Sequence, residues 1–291
     1  MTSYSLATLA RRTRNIRKRA IVLREVSAPA MLAQDLFNSV YRGVIQLWTE
    51  ASPRIAEEYA RTLAEMTTDA ATCNDSLQVR DAPTEVQAQI DGAEAAFQRL
   101  FFALTPSLRD WSLKVERAVR TRFTRNVFSA TSVDLTTMIG PSDVAETLDA
   151  ILQRNAALVR DVSQQISARI SDAVYRGLTA RTPARDVARE INNAVSLGRK
   201  RSLRIASHQL SAASATLAEE RQRQAGIDQV IWVSSGKRNP RPHHAARDGK
   251  RYYLATKKAV DGSETVAPGD WVSQPPFCGC RSRAYIDFSG E

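Results

Sequence analysis

The chain has no long apolar run and few cysteines, and each shortage excludes a class of protein. No segment approaches the roughly 18 to 20 consecutive apolar residues that a membrane-spanning helix needs. The basic start of the chain is not followed by the apolar stretch and small-residue cleavage site of a secretory leader. We therefore expect a cytosolic, unprocessed protein that enters no membrane. Three cysteines in 291 residues are too few, and odd in number, for a disulfide framework, so free thiols or a metal in a reducing compartment are the simpler interpretation.

The chain also lacks the glycine-rich loops that bind phosphates. Neither G-x-x-x-x-G-K-[ST] nor G-x-G-x-x-G occurs, which disfavours an ATPase or a dinucleotide-dependent enzyme, because the backbone N–H groups of such loops hold the phosphates. The hydrophobic content of 43% is ordinary for a globular protein. A chain of this length can form two compact domains or one large domain.

Positive charge is in excess, since 41 Lys and Arg residues against 31 Asp and Glu residues give a formal net charge of +10. Such an excess favours anionic partners, either nucleic acid or an acidic protein surface. An equally good interpretation is a solvated face that keeps the protein soluble. The charge is concentrated in two segments. The N-terminal segment offers candidate contacts to DNA or to a partner protein: Arg11, Arg12, Arg14, Arg17, Lys18 and Arg19. The second segment surrounds Asp248 and comprises Lys237, Arg238, Arg241, Arg247, Lys250, Arg251, Lys257 and Lys258.

Hydrophobic spacing predicts a mainly α fold, with long helices in the N-terminal and middle regions and a small α+β module at the C-terminus. Apolar residues recur every three or four positions from Leu32 to Phe102, which is the period of a helix packed on one side. Pro53 and the sequence LTPS at 104–107 predict breaks in these helices. After Trp111 a basic helix is expected, followed by a polar loop or short strand that extends to Gly140.

The middle region is expected to contain an extended helical rod. Ser142 is its predicted cap, a near-heptad apolar stripe follows, and Gly177 is its predicted end. A further helix begins at Thr182 and Pro183, restarts after Gly198 and stops at Gly226.

A change of pattern marks the C-terminal module. The segment DQVIWVSS at 228–235 is β-branched and aromatic, as in a strand. We therefore predict four parts: a basic N-terminal segment at 1–30, a helical domain at 31–140, a long-helix region at 141–227 and a small α+β module at 228–291.

The C-terminal module holds two of the three histidines and two of the three cysteines. His243, His244, Cys278 and Cys280 offer the nitrogen and sulfur donors that zinc prefers, in the number that a tetrahedral site needs. Asp248 is a further ligand or orients the imidazole. The C-x-C spacing is shorter than that of most zinc cysteines. The favoured interpretation is therefore an interior fixed by hydrogen bonds, in which Asp248 and Gly249 form a turn and the cysteines are small buried hydrophobes.

An enzymatic interpretation has less support. Paired histidines, a nearby carboxylate and abundant cations resemble the parts with which a metal-dependent nuclease activates water. A cysteine nucleophile is disfavoured, because no helix N-terminus follows the C-x-C segment to lower a thiol pKa. We expect no catalytic residues and no bound organic cofactor, with zinc as the alternative.

The order of these motifs resembles the phage head morphogenesis family typified by the Mu protein F minor head protein. The resemblance extends over about 148–285 and includes the helical sequence GLTARTPARDVAREI, RPHHAARDGK, a Pro-Gly turn and a closing P-x-x-C-x-C-R. Its most specific residues are Arg241, His244, Asp248, Gly249, Cys278 and Cys280. This chain departs from the family at Gly279, where a basic or polar residue is common, and in the helical string IASHQL.

The resemblance implies a structural minor capsid protein of a tailed bacteriophage rather than an enzyme. It implies a role in head morphogenesis, with binding at the portal or neck vertex or in the capsid interior. The portal protein is the expected partner, with the major capsid protein, a head-to-tail connector and packaged DNA as further candidates. It also implies a ring of copies at the portal vertex of the virion, assembled in the host cytoplasm. The alternative is a DNA-binding or metal-dependent DNA-cleaving protein at that vertex. Removing 1–24 is expected to weaken portal or DNA association without unfolding the rest.

Overall fold

The computed structural model of the chain describes residues 5–13, 18–72 and 83–288. As predicted, it is mainly α-helical with a small sheet formed mostly near the C-terminus. The helices are α1 (Leu6–Thr13), α2 (Met31–Leu36), α3 (Arg42–Thr72), α4 (Pro83–Thr131), α5 (Ala145–Ala180), α6 (Ala184–Gln224) and α7 (Pro242–Ala246). The strands are β1 (Ala20–Val22), β2 (Gln229–Val233), β3 (Arg251–Tyr253) and β4 (Arg281–Asp287). A π-helical segment (Phe37–Tyr41) follows α2, and a 3₁₀ turn (Pro141–Val144) precedes α5. Among the described residues, none of the helices combines the length and apolarity required to cross a bilayer.

The chain forms two compact units, each assembled from segments that are distant in sequence. The sheet unit comprises 1–33, 110–152 and 206–291, and the helical unit comprises 34–109 and 153–205. Helices α4, α5 and α6 each contribute residues to both units. The division into four consecutive parts stays a prediction.

Two prolines lie inside helices of the helical unit, so the predicted breaks at Pro53 and in the segment containing Pro106 are wrong. A proline in a helix removes one backbone hydrogen bond and costs about 3 kcal/mol. Around Pro53 this cost is opposed by the complete burial of Trp48 and Ile55, since each large buried side chain contributes about 1.5 to 3 kcal/mol.

Two glycines predicted to end or restart helices instead lie within them. A Cβ atom on Gly177 would lie 2.7 Å from Val187 Cγ2, and one on Gly198 would lie 2.5 Å from Ile166 Cδ1. Real Cβ contacts are not this short, so glycine is required here because neighbouring segments approach closely. Gly226 does end α6 as predicted: it has a φ of +66°, and the N–H group of the next residue donates to the Gln222 carbonyl at 3.0 Å, as in a Schellman motif.

The sheet is antiparallel, with the strand order β1-β4-β2-β3. In its register Val230 of β2 lies opposite Ala284 of β4, and Ile21 of β1 lies opposite Ile286. Alternate residues of β2 are buried, as expected for a strand with one face on the core. Residues from the start of the chain therefore complete a sheet whose other strands lie after residue 228.

A buried ion pair joins two long helices inside the sheet unit. Arg221 of α6 donates to Glu116 Oε1 of α4 at 2.7 Å, and the two side chains are 1% and 2% exposed. Arg221 also donates to the Gly140 carbonyl at 2.7 Å. Both charges have left water, so they need opposite charges nearby. Arg120 also lies 2.9 Å from Glu116 Oε1, and Asp143 Oδ2 lies 3.8 Å from Arg221.

Candidate functional site

His244 reaches the core of the sheet unit from the short helix α7. Arg241 precedes this helix in an extended conformation and Pro242 begins it, an arrangement that proline favours because its φ is already helical. The His244 side chain is 2% exposed, whereas that of His243 is 54% exposed. The helix thus separates the two adjacent histidines into one interior and one surface residue.

Cys278 and Cys280 come to the same place from the turn before β4. The N–H group of Cys278 donates to the Pro275 carbonyl at 3.0 Å, and Arg241 donates to the Pro276 carbonyl at 3.1 Å. Both cysteines are buried free thiols. His244 Nδ1 lies 3.4 Å from each of the two Sγ atoms, so residues 34 and 36 positions apart in sequence meet at one point.

Asp248 is separate from this cluster and fixes a turn. Its Oδ1 accepts the Ser234 backbone N–H at 2.7 Å. The neighbouring Gly249 has a φ of +76° and donates its N–H to the Trp232 carbonyl at 2.9 Å. The Asp-Gly pair thereby attaches the end of α7 to β2, and Asp248 neither contacts nor orients His244.

The carboxylate that does contact His244 is Asp270, which the sequence analysis missed. Its Oδ1 lies 2.8 Å from His244 Nε2. In the tautomer that carries its proton on Nε2, the imidazole donates that proton to Asp270 and presents the lone pair of Nδ1 to the two sulfurs. Asp270 directly follows the Pro-Gly turn that is part of the family resemblance. Its position next to this turn was the one feature of the sequence that could have identified it as a site residue.

A second layer of ion pairs holds Asp270. Arg247 donates to Asp270 Oδ2 at 2.6 Å and to Glu264 Oε2 at 3.0 Å, and the Tyr252 hydroxyl donates to Glu264 Oε1 at 2.6 Å. Burial favours the neutral form of Asp270, but the hydrogen bonds from His244 and Arg247 outweigh it and lower the pKa of Asp270 to about 2. The carboxylate is therefore ionised at neutral pH. Arg247 itself is only 7% exposed. Although it belongs to the second basic segment, its charge pairs with partly buried carboxylates and is not part of a surface patch.

The two cysteines shift each other's pKa in opposite directions. Their mutual hydrogen bond lowers the pKa of Cys278 to about 5, although burial opposes the shift, and the backbone N–H groups of Cys280 and Ser273 lower it further. The same hydrogen bond, with burial, raises the pKa of Cys280. Cys278 is therefore the first of the two thiols to ionise.

The histidines and Asp270 form a second group of potential ligand atoms. His243 Nε2 lies 3.4 Å from Asp270 Oδ1, and the ligand atoms of His243, His244 and Asp270 all lie within 4.8 Å of one another. Asp270 is already bonded to Arg247, and a guanidinium so close disfavours a cation there.

The N-terminal basic residues lie on the same unit as this site. Arg12, Lys18 and Arg19 are exposed, and Arg11 donates to the Phe288 carbonyl. The other two predicted contacts, Arg14 and Arg17, lie outside the described residues.

Comparison with known proteins identifies the C-terminal part of the chain. Residues 164–283 match the family model described as "Phage Mu protein F like protein". No curated protein and no solved structure matches the chain. The matched segment includes His244, Asp270, Cys278 and Cys280. Residues 164–283 are therefore similar to the phage Mu protein F-like family, and this match supports a phage head morphogenesis protein.

Proposed function

We propose that the chain is a structural minor head protein that binds the portal vertex of a tailed phage and acts there without catalysis. The observation that carries this proposal is the family match over 164–283. A head morphogenesis protein must bind other virion components, and the net charge of +10 suits acidic protein surfaces or packaged DNA. In a portal ring, the symmetry of the portal would set the number of bound copies.

The N-terminal basic residues are the first candidate contact. Helix α1 is anchored by Leu6 and Ala10, which are fully buried, and the Leu6 N–H donates to the Ala225 carbonyl at 3.0 Å. Arg12 projects from this anchored helix into solvent. A cation held on a fixed support loses little conformational freedom when it pairs, which favours its use in binding.

Exposed aromatic residues on the helical unit are the second candidate contact. Phe102 and Tyr175 are 75% and 71% exposed, which is unusual for side chains that bury 150 to 250 Å² each, by order of magnitude, when covered. Aromatic residues of this kind are frequent anchors of protein interfaces. We assign them to contacts with the portal or a neighbouring head protein.

Charge reversal tests the first contact. The full chain is co-expressed with the portal protein, and the complex is isolated through a tag on the portal. The variant Arg12→Glu/Lys18→Glu/Arg19→Glu should lose most of the complex, and wild-type binding should weaken as salt is raised. Arg11 is left unchanged because it also holds Phe288. Reversal of Arg185, whose side chain is 86% exposed on the helical unit, is the matched control and should keep binding.

Two results would contradict the proposal. Failure of the wild-type chain to associate with portal protein or purified heads would remove the portal role. Equal binding by the triple reversal variant and the control would remove the N-terminal contact alone. Tyr175→Ser and Phe102→Ser should weaken the same complex, and unchanged binding would remove the aromatic contact.

The second candidate function is DNA binding or metal-dependent DNA cleavage at the vertex. The exposed cations Arg12, Lys18 and Arg19 favour DNA binding. Cleavage would require a cation at His243, His244 and Asp270, where Arg247 opposes one. Incubation of the full chain with DNA and a divalent cation tests both versions. Cleavage that is lost in His243→Ala would support an enzyme, whereas a salt-dependent mobility shift without cleavage would support binding alone.

A further inference from the structure

Three soft donor atoms converge in the interior of the sheet unit. Nδ1 of His244 and the Sγ atoms of Cys278 and Cys280 lie within 4.8 Å of one another, and all three residues are buried. We propose that these three residues bind one Zn²⁺ ion and that Asp270 orients His244 for this role. The proposal is independent of portal binding, since it concerns how the family domain is held together.

The distances match those of a zinc site. Zinc–sulfur bonds of about 2.3 Å and zinc–nitrogen bonds of about 2.0 to 2.1 Å at tetrahedral angles separate the nitrogen and sulfur by about 3.6 Å. The two separations here are both 3.4 Å. A neutral imidazole has one lone pair on Nδ1, which accepts one S–H group. Two sulfurs at the same distance from that nitrogen are explained better by a metal ion that all three atoms bind.

The groups around the three donor atoms are of the kinds that usually surround metal ligands. Metal-bound histidines commonly donate their other N–H to a carboxylate, which fixes the tautomer, and His244 Nε2 faces Asp270 in this way at 2.8 Å. The Cys280 backbone N–H points at Cys278 Sγ at 3.4 Å. The buried Trp232 indole N–H interacts with the Cys280 sulfur, and the Trp232 ring packs edge-on against the His244 ring, with ring centroids 5.1 Å apart. Such N–H groups suit a sulfur that carries negative charge.

Charge balance supports a divalent cation. Zinc takes thiolates, so Cys278 and Cys280 would supply two negative charges and His244 none. One Zn²⁺ ion neutralises them, whereas two buried thiolates without it would repel each other in a medium of low dielectric constant. Arg247, a buried cation that also contacts Asp270, is already paired with two carboxylates.

The protein supplies three of the four tetrahedral positions. No fourth His, Cys, Asp or Glu joins the group in the part of the chain that the structure describes, which leaves water as the remaining ligand. Asp248 is not that ligand, because it is bonded to the Ser234 N–H. A zinc ion here would link α7 to the segment before β4 and so close a long loop, as a disulfide does in secreted domains.

Metal analysis of the full chain tests the proposal. Protein purified under reducing conditions should contain about one zinc ion per chain, since one tetrahedral centre is available. Replacement of zinc by Co²⁺ should produce near-ultraviolet thiolate-to-cobalt absorption. A chelator should lower the melting temperature of the wild type, and added zinc should restore it.

Variants identify the ligands. Cys278→Ser and Cys280→Ser should lose the cobalt absorption. Asp270→Asn should keep it but weaken zinc affinity by about 10- to 100-fold, the effect typical of a residue that orients a ligand. Asp248→Asn is the matched control, because an amide oxygen can still accept the Ser234 N–H, and it should bind zinc as the wild type does. Cys73→Ser, at the third cysteine, should also be unchanged.

Several outcomes would overturn the proposal, and none depends on a variant that fails to fold. Wild-type protein without zinc and without cobalt absorption would exclude the site. A disulfide between Cys278 and Cys280 in protein purified under reducing conditions would exclude it as well. Loss of metal in Cys73→Ser or Asp248→Asn would refute the ligand set.

Discussion

Replacing Gly198 by alanine tests whether close packing selects glycine in the middle of α6. The added Cβ would lie 2.5 Å from Ile166 Cδ1 and 2.6 Å from Ile166 Cγ1, whereas non-bonded carbons rest at about 3.5 to 4.0 Å. Ile166 is 1% exposed, and its β-branched side chain has few alternative rotamers in a helix. Overpacking of this kind costs about 1 to 3 kcal/mol. Alanine regains about 0.8 to 1 kcal/mol over glycine through helix propensity, so we expect a net destabilisation of up to about 2 kcal/mol.

The chain contains a matched control for this experiment. Gly92 also lies inside a helix, α4, and a Cβ on it would meet nothing within 4 Å. Gly92→Ala should therefore stabilise the protein by about 0.5 to 1 kcal/mol. The two glycine-to-alanine substitutions are expected to change the free energy of unfolding in opposite directions, measured by urea denaturation with far-ultraviolet circular dichroism.

A double-mutant cycle locates the cause. Ile166→Ala removes both atoms that the new Cβ would meet, so Gly198→Ala in that background should be neutral or stabilising. Stabilisation by Gly198→Ala alone, or an equal cost in both backgrounds, would refute the packing explanation.

Two further predictions concern buried charges of the sheet unit. Glu116→Gln should cost about 3 to 5 kcal/mol in urea denaturation, because it leaves the buried Arg221 guanidinium with only the partly exposed Asp143, 3.8 Å away, as a counter-charge. The double variant Glu116→Leu/Arg221→Met should recover most of that loss, and a single-variant cost below about 1 kcal/mol would contradict the assignment. Hydrogen bonds from Tyr252 and Arg247 outweigh burial and lower the pKa of Glu264, so its stabilising contribution is present above its unfolded pKa of about 4.3 and is lost as pH falls through the folded pKa. The difference in melting temperature between wild type and Glu264→Gln should therefore narrow between about pH 6 and pH 3, and a constant difference would refute this assignment.

The class of fold could be predicted because the helical period is a local property of the sequence. The apolar spacing from Leu32 onward and the β-branched segment at 228–235 correspond to helices and to β2. The predicted breaks at Pro53 and Gly198 were wrong because tertiary packing decides whether a weak helix position is tolerated. Sequence alone does not show that Ile166 approaches α6 so closely that only glycine fits.

The nitrogen and sulfur donors of the candidate site could be predicted from the sequence, but the carboxylate that contacts His244 could not. His244, Cys278 and Cys280 were grouped on chemical type, and the fold brings them together. Asp248 was chosen for its spacing of four residues from His244, but a turn directs it to Ser234. Asp270 reaches His244 through the path of the segment between β3 and β4, and no local period encodes that path.

The sheet unit also relates the family match to the start of the chain. The match ends at residue 283, but β4 continues to Asp287 and pairs with β1, where Ala20 lies opposite Asp287. Strand β1 thereby covers one side of β4, the strand that directly follows Cys280. Unpaired strand edges tend to associate with other chains, so removal of 1–24 would expose the edge of β4 as well as delete basic residues. Loss of portal binding in such a truncation could therefore arise from the damaged sheet. Charge reversal at Arg12, Lys18 and Arg19 leaves β1 in place. It therefore tests the contribution of these charges to binding without removing a strand from the sheet.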